Sequence, residues 1–597
     1  MHKLFSLNGG HVSPADITIE TERRTVQDRS VFRGADRWIY MSIVVCIFAE
    51  SVLGPYRGSA DPVAYLDISD LIRRHAWHAV VNAYWFPLYP AALALGRAAF
   101  GFRVRYELLA AKLVDSIIQV LFVVSSVFLA ATARRLMLAR GFSATELLPR
   151  RTLYIWIATI ACFFALRDFT GITPDALLTM LMIVSVAFLL RGVTEEGWLS
   201  FLIAGLSAGV AFWTKAFAFP FFFLCIFCFG VANFRHPRIL RGLVFSLLIF
   251  GFISAPWVWQ LSQAKGRFSA GDSGSLNAAW FVNGADRFNP VPDLSVYHAG
   301  QAVPDFKHPG ELLMRDPEIS YYNPHTVPGS TPQWDDPSYW SDRLKPRFVP
   351  RQYATEFVND MKVFLRNAPM RLQVVVLLAV FPLFGFVPAK RAIAYSPFST
   401  VLVLAVAVVG SYLLIYFEQR YVIFSYIAIA TIYAACCLRR PSSKPGSLHT
   451  AVLLIAALVV LYGFQESLQK LKDQQLEGGR PLHGIYDVAA TSAGASLASE
   501  FPPGSEVACM GDAACWGDPY WARYGHLEMT AIVETGRGFA ITDAQTGCVE
   551  LRSHPDGMRL LRNRNVRAIV GRFEEGPPCS TQWKPLGRSG TFYYLPL

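Results

Sequence analysis

Long apolar runs separated by short basic connections dominate the chain. Runs of roughly 15 to 25 residues, the length a bilayer core demands, stand at about 38–54, 108–133, 152–166, 174–191, 198–214 and 216–233, and again at 242–260, 371–388, 397–417, 421–438 and 448–464. The pattern predicts an α-helical polytopic membrane protein with about eleven spans. Between the seventh and eighth runs lies a polar stretch, 261–370, rich in Pro, Asp, Trp and Tyr, including GDSGSLNAAWFVNG and GSTPQWDDPSYW. That composition suits an ordered, aromatic-bearing lid better than a flexible tether. Beyond the last run, residues 465–597 mix an amphipathic helix at 489–501 with strand-like runs such as 539–542 and 568–570, which predicts a small α/β domain. No internal repeat and no pair of glycine-broken spans marks an inverted-repeat transporter.

Sidedness follows from the arginines and lysines. With the tail 1–36 in the cytoplasm, Arg134, Arg135, Arg140, Arg150 and Arg151, then Arg235, Arg238 and Arg241, then Lys390 and Arg391, then Arg439, Arg440 and Lys444 all fall inside. The transmembrane domain is then 37–464, with outer loops at about 55–107 and 261–370, and the α/β domain 465–597 is extracytoplasmic. The tail lacks a short apolar core with a small-residue cleavage site, so the first span reads as a retained anchor.

Composition agrees. The chain of 597 residues is 53% hydrophobic and 17% charged, and its mean hydropathy is +0.33. Its net charge of +11 is accounted for by the positive-inside bias; no basic run interleaves with base-stacking aromatics, which argues against nucleic acid. Six cysteines, Cys46, Cys162, Cys225, Cys228, Cys436 and Cys437, lie in apolar runs and read as small core residues. Cys509, Cys515, Cys548 and Cys579 lie beyond the last span, where an even number fits disulfides in an oxidising compartment.

Ionisable residues in or beside spans are costly and mark function by default. In this topology Glu50, Lys112, Asp115, Arg167, Asp168, Asp175, Lys215, Glu418 and Arg420 all fall at outer ends. A transporter would place such groups near the midplane, whereas an enzyme acting on a lipid headgroup would gather them at one face. Each also has a plainer reading. Glu418 and Arg420 beside Tyr416 and Tyr421 fit interfacial anchoring, and Lys112 and Asp115 fit an i,i+3 pair on one helix. Lys215 fits a loop lysine, although a lone outer lysine points to an anionic partner such as a lipid phosphate.

The first outer loop carries the densest chemistry, RGSADPVAYLDISDLIRRHAWHAVVNAYWFPLYP from Arg57 to Pro90. Asp61 before Pro62 is what a helix start looks like, and Ala64, Ile68, Leu71 and Ile72 then predict an amphipathic helix lying in the membrane interface. Asp67 and Asp70 belong to that helix, with Asp70 paired to Arg73 or Arg74 on an exposed face. Capping does not preclude catalysis, since a carboxylate at a rigid helix start is well held for proton transfer. Asp175 after Pro174 is likewise in a first helical turn. His75 and His78 read as interfacial polar residues, and the 266–274 run lacks the pattern of a phosphate loop.

SADPVAYLDISDLI followed by NAYWFPLYP, then TPDALL, GVAFWTKAFAFP and EQRY, in that order and sidedness, resembles the GT-C superfamily of polytopic glycosyltransferases. Within it, the bacterial protein O-mannosyltransferase and lipid A aminoarabinose transferase-like family is the nearest in pattern. The resemblance covers about 430 residues of membrane domain. It implies a bacterial inner (plasma) membrane enzyme. Its donor is a polyprenyl-phosphate-linked sugar, a hexosyl or pentosyl group passes with inversion to a hydroxyl of a protein, lipid or polysaccharide acceptor, and membrane lipid surrounds the site. By the same resemblance Asp61 is the general base, Asp175 orients the acceptor or a metal, and Lys215 and Arg420 neutralise the phosphate leaving group. Tyr65, Trp85, Tyr89, Glu418 and Tyr421 are the candidate acceptor or sugar contacts. The family's first loop often has two acidic residues close together before the aromatic tyrosine, whereas here Ser59 and Ala60 precede Asp61 and the next carboxylates are Asp67 and Asp70, which leaves open whether a divalent metal takes part. Two other classes compete: a lipid or polysaccharide transporter or flippase, and a non-catalytic envelope assembly protein.

Overall fold

The computed structural model describes residues 34–53, 60–285, 310–322, 337, 346–366, 379–476, 488–534, 544–573, 576, 578–587 and 589–597. Ten of the eleven apolar runs are helices. In chain order the helices are α1 (Ala35–Leu53), α2 (Ala60–Arg73) and α3 (Leu88–Ala98) of the first loop, α4 (Val104–Ala139), α5 (Arg150–Asp168), α6 (Asp175–Glu195), α7 (Trp198–Phe212), α8 (Ala218–Ala232) and α9 (Pro237–Lys265). The amphipathic α10 (Pro350–Arg366), then α11 (Ser396–Leu413), α12 (Ile423–Ala435) and α13 (Pro445–Leu476) follow. Five of them, α4, α6, α9, α11 and the Pro445–Gln469 part of α13, are long and apolar enough to cross a membrane by length and composition, and α7 and α8 are shorter apolar helices. The chain is a multi-pass membrane protein, but by that measure the expected count of eleven spans is not reached among the described residues. The first part of the 371–388 run, 371–378, lies outside them, and its end, Phe386–Pro388, is a short strand paired with Cys437–Arg439.

Where lipid gives no hydrophobic drive between helices, polar glue and close packing decide how they meet. The Ser185 hydroxyl on α6 donates to the Ala204 carbonyl of α7 at 3.0 Å, and Ser425 on α12 to Ala405 of α11 at 2.8 Å. The Trp213 indole donates to Ile253 of α9 at 2.8 Å, and the Gln119 amide of α4 to Phe169 at 2.7 Å. The two-residue step from Trp213 to Lys215 is thereby held against α9, which fixes where Lys215 emerges.

The last part of the chain is an α/β unit, as its alternation predicts, but the sheet is wider than residues 465–597 alone provide. Its strands are β1 (Gly310–Arg315), β2 (Glu318–Tyr322), β3 (Glu506–Met510), β4 (Glu528–Glu534), β5 (Ala568–Arg572), β6 (Lys584–Leu586) and β7 (Phe592–Pro596). The order is β1-β2-β4-β3-β5-β7-β6, with β4, β3 and β5 parallel in the middle and antiparallel strands outside. The hairpin β1–β2 comes from the loop before α10, so that loop and the C-terminal region form one body. Alternate residues feed two cores: Val507, Cys509, Ile532 and Val570 face α14 (Val488–Glu500) and α15 (Tyr520–Tyr524), while Ala508, Met510, Val533 and Ile569 face α16 (Ala544–Ser553) and α17 (Pro555–Asn563). The predicted helix at 489–501 and strand at 568–570 are present; the strand-like run at 539–542 lies outside the described residues.

The four cysteines beyond the spans pair as Cys509–Cys515 and Cys548–Cys579. The second closes a loop across a sequence separation of 31, for which loop-closure entropy gives about 3–4 kcal/mol of stabilisation. Replacing Cys548 and Cys579 together by alanine is therefore expected to lower protection of the β5 amides by at least about a hundredfold in hydrogen exchange of the full chain. Unchanged protection there would show that the bridge carries no such share.

Candidate active site

The first loop does not lie open in an interface. Ten of the fourteen residues of α2 are buried, Asp67 among them, because α3, the short helix Trp77–Val80 and α15 enclose it. Asp70 accordingly pairs mainly with Arg97 at 3.0 Å and Arg523 at 2.7 Å, with Arg73 at 3.8 Å as the weakest partner. The sequence predicts an amphipathic helix in the membrane interface with Asp70 on its exposed face; the charged partners that close over it come from distant parts of the chain and have no local signal. His75 and His78 are exposed, as interfacial polar residues would be.

Asp61 stands in the first turn of α2, partly buried, and Tyr65 follows one turn later. Both line a cavity of about 500 Å³ with Asp175, Lys215, Arg420 and Tyr421. Asp175 opens α6 directly after Pro174, and the Lys215 ammonium donates to its Oδ1 at 2.7 Å. Arg420 Nε lies 3.4 Å from Asp175 Oδ2 and 2.5 Å from Glu418 Oε2. The Asp175 side chain is only 4% exposed, whereas those of Lys215 and Arg420 keep 24% and 26%. The carboxylate is thus the buried anchor, and the two cations are what the cavity meets. Burial opposes the charge on Arg420, but Asp175 and then Tyr421, Glu418 and Asp61 raise its pKa, which places Asp61 within electrostatic reach of the same guanidinium. Lys215 Nζ also sits 4.2 Å from the centre of the Tyr421 ring, a cation–π contact that orients it further.

The rest of the wall is aromatic and apolar. Phe217, Phe219, Pro220, Tyr412, Ile415 and Tyr416 line one side, and Tyr84 and Trp85 another. Tyr412 stacks on Tyr421 with centroids 5.0 Å apart, and Tyr416 on Phe281 at 4.0 Å. Tyr412 lies in the last turn of α11 and Tyr416 in the turn just beyond it, an aromatic pair that charge-based reasoning passes over. The 266–274 run, set aside as a phosphate loop, instead supplies Ala270, Gly271, Ser273 and Gly274 to the wall. Gly271 has φ +110°, and a Cβ there would meet the Ala216 side chain at 2.7 Å and Phe86 at 2.9 Å. Only glycine lets this turn close beside Lys215.

Two of the expected contacts sit elsewhere. Tyr89 is fully buried behind Tyr65, their rings meeting edge-on at 5.2 Å, and its hydroxyl donates to Asp115 Oδ1 at 2.7 Å. It supports the wall rather than forming it, and it gives Asp115 a partner beyond the expected Lys112. Glu418 is outside the cavity lining too, held by the Tyr416 hydroxyl at 2.7 Å and by Arg420. Trp85, Tyr65 and Tyr421 do line it. Among the described residues no group of three or more His, Cys, Asp or Glu side chains converges to hold a metal ion.

No protein-family profile and no curated protein matches the sequence. Among solved structures, the chain is similar to ArnT from Cupriavidus metallidurans in the apo state, with 11% identity, 93% of this chain and 97% of that one covered, and a TM-score of 0.49. The same protein bound to undecaprenyl phosphate gives 13% identity, coverage of 94% and 98%, and a TM-score of 0.44. Arabinofuranosyltransferase AftD from Mycobacteria gives 13%, 90% of this chain against 36% of that one, and 0.37. At such identities the functional reading rests on the cavity.

Proposed function

We propose that the chain is an inverting glycosyltransferase of the GT-C kind, which moves a sugar from a polyprenyl-phosphate donor to a hydroxyl acceptor at the outer face of a bacterial plasma membrane, with the N-terminus in the cytoplasm. One observation carries the reading: two cations anchored by a single buried carboxylate face the same cavity as Asp61, and that cavity is otherwise aromatic and apolar. A polyprenyl phosphate offers a matching pair of features, an anionic head for Lys215 and Arg420 and a hydrocarbon tail for the Phe217, Phe219, Tyr412 and Ile415 wall.

The reaction divides among these groups. Asp61 takes the proton of the acceptor hydroxyl as its oxygen attacks the anomeric carbon. On the opposite face of the sugar the bond from that carbon to the phosphate oxygen breaks, and its electron pair leaves with the polyprenyl phosphate. Lys215, with two N–H donors beyond the one given to Asp175, and the terminal nitrogens of Arg420 stabilise the charge that grows there. Asp175 is then the residue that positions both cations, a different part from the acceptor or metal contact expected of it. Tyr65, Tyr84, Trp85 and Tyr421 are placed to stack on or hydrogen-bond the sugar.

The test uses purified full-length protein in lipid nanodiscs, supplied with undecaprenyl-phosphate-linked hexoses and pentoses and with hydroxyl acceptors. Time-dependent formation of undecaprenyl phosphate together with an inverted glycoside is the expected result. Movement of the lipid across liposomes with no bond cleavage would replace this reading with the transporter one. Loss of function only on truncation of the α/β body, with every cavity charge dispensable, would favour an assembly protein.

A further inference from the structure

Behind α2, on the side away from the cavity, lies a second charged cluster that the proposed reaction does not use. Arg523, from the short helix α15 of the α/β body, reaches into the helical bundle and is only 7% exposed. Its Nε and Nη2 donate to the two Glu107 oxygens at 2.9 and 2.8 Å, its Nη2 also to Asp70 at 2.7 Å, and its Nη1 to Asp67. Arg97 closes the cluster, 3.0 Å from both Asp70 and Glu107, and the Tyr520 hydroxyl donates to Glu107 at 2.9 Å. Burial opposes ionisation of Asp70, yet Arg523 and then Arg97 hold its carboxyl below the usual range.

The geometry of α2 gives this cluster a consequence at the cavity. At about 100° per residue, Asp61 and Tyr65 share one face of the helix, and Asp67 and Asp70 share the other, roughly 190° around. One face lines the cavity and the other is gripped by a guanidinium from a body more than 400 residues downstream. A bidentate fork on Glu107, which opens α4, fixes Arg523 itself, so the rotation and height of α2 are referred to the bundle through it.

We infer that Arg523 is a positioning residue for Asp61: the α/β body sets the geometry of the proposed base by holding the rear face of α2. The inference rests on the reading of Asp61 as that base, and its test has an arm that needs no transfer. Full-length D61C and D61C/R523Q, reacted with a cationic methanethiosulfonate, report the surroundings of position 61 directly. Background is low, since five of the six unpaired cysteines are buried and Cys228 is half-buried. The modification rate of the thiol introduced at position 61 is expected to change by about fivefold or more when R523Q is added. With Asp61 in place, R523Q is expected to lose about ten- to a hundredfold in kcat and to bind undecaprenyl phosphate, added alone, as the parent does, because Lys215 and Arg420 sit on other elements. R523K, which keeps the charge without the fork, should restore part of kcat. Equal modification rates at position 61 and equal kcat in a variant that merely melts earlier would overturn the inference, as would loss of undecaprenyl phosphate binding in R523Q. A shifted modification rate in a protein that transfers no sugar would leave the clamp standing and remove the proposed activity instead.

Discussion

Asp61→Asn is expected to cut sugar transfer by at least about a hundredfold, while the protein still folds, enters the membrane and binds undecaprenyl phosphate. Asparagine keeps the size and the acceptor oxygen that a first-turn position uses, so α2 should start where it does now. What it loses is the ability to take a proton. Because Lys215 and Arg420 are anchored by Asp175 on α6, the proposed lipid phosphate site does not depend on position 61. The measurement is therefore a pair: turnover with a lipid-linked sugar, and affinity for undecaprenyl phosphate alone. Near-parental turnover with unchanged affinity would take the base role from Asp61, and loss of both together would mark it as a structural residue of the cavity.

How far the sequence could foretell this site is clearest in its separate residues. The helices at Ser396–Leu413 and Pro237–Lys265 follow from apolar length alone, and so does the gathering of Asp175, Lys215 and Arg420, since each lies at the same end of its run. Cost in the bilayer makes such charges conspicuous. Distance along the chain hides the rest. Glu107 begins a span and looks like a first-turn carboxylate, and Arg523 sits in a polar region where an arginine is ordinary; nothing local says that they meet. The same holds for β1 and β2, whose alternation is legible but whose sheet partner, β4, is over 200 residues away. Tyr89 was misplaced for a related reason. YWFPLYP announces an aromatic cluster, but which ring faces the cavity depends on the turn before α3 and on the Asp115 carboxylate that accepts the Tyr89 hydroxyl, not on composition.

The anchoring of two cations by one carboxylate shapes the second large expectation. Lys215→Met or Arg420→Met would remove one proposed charge-assisted contact to the lipid phosphate, worth about 1.5–3 kcal/mol, and should weaken undecaprenyl phosphate binding by roughly ten- to a hundredfold. Removing both cations adds a different penalty, because Asp175, 3% exposed, is left as a buried carboxylate with neither cation, at a cost of about 3–5 kcal/mol in stability. Loss of binding in that double variant would say little. The informative protein is the triple one, K215M/R420M/D175N, in which the buried charge is gone with its partners. It should recover most of the stability lost by the double variant and yet bind undecaprenyl phosphate at least about a thousandfold more weakly than the parent, with its affinity no longer sensitive to salt. Affinity within about threefold of the parent would place the phosphate elsewhere, and the case for a lipid-linked donor in this cavity would fall with it.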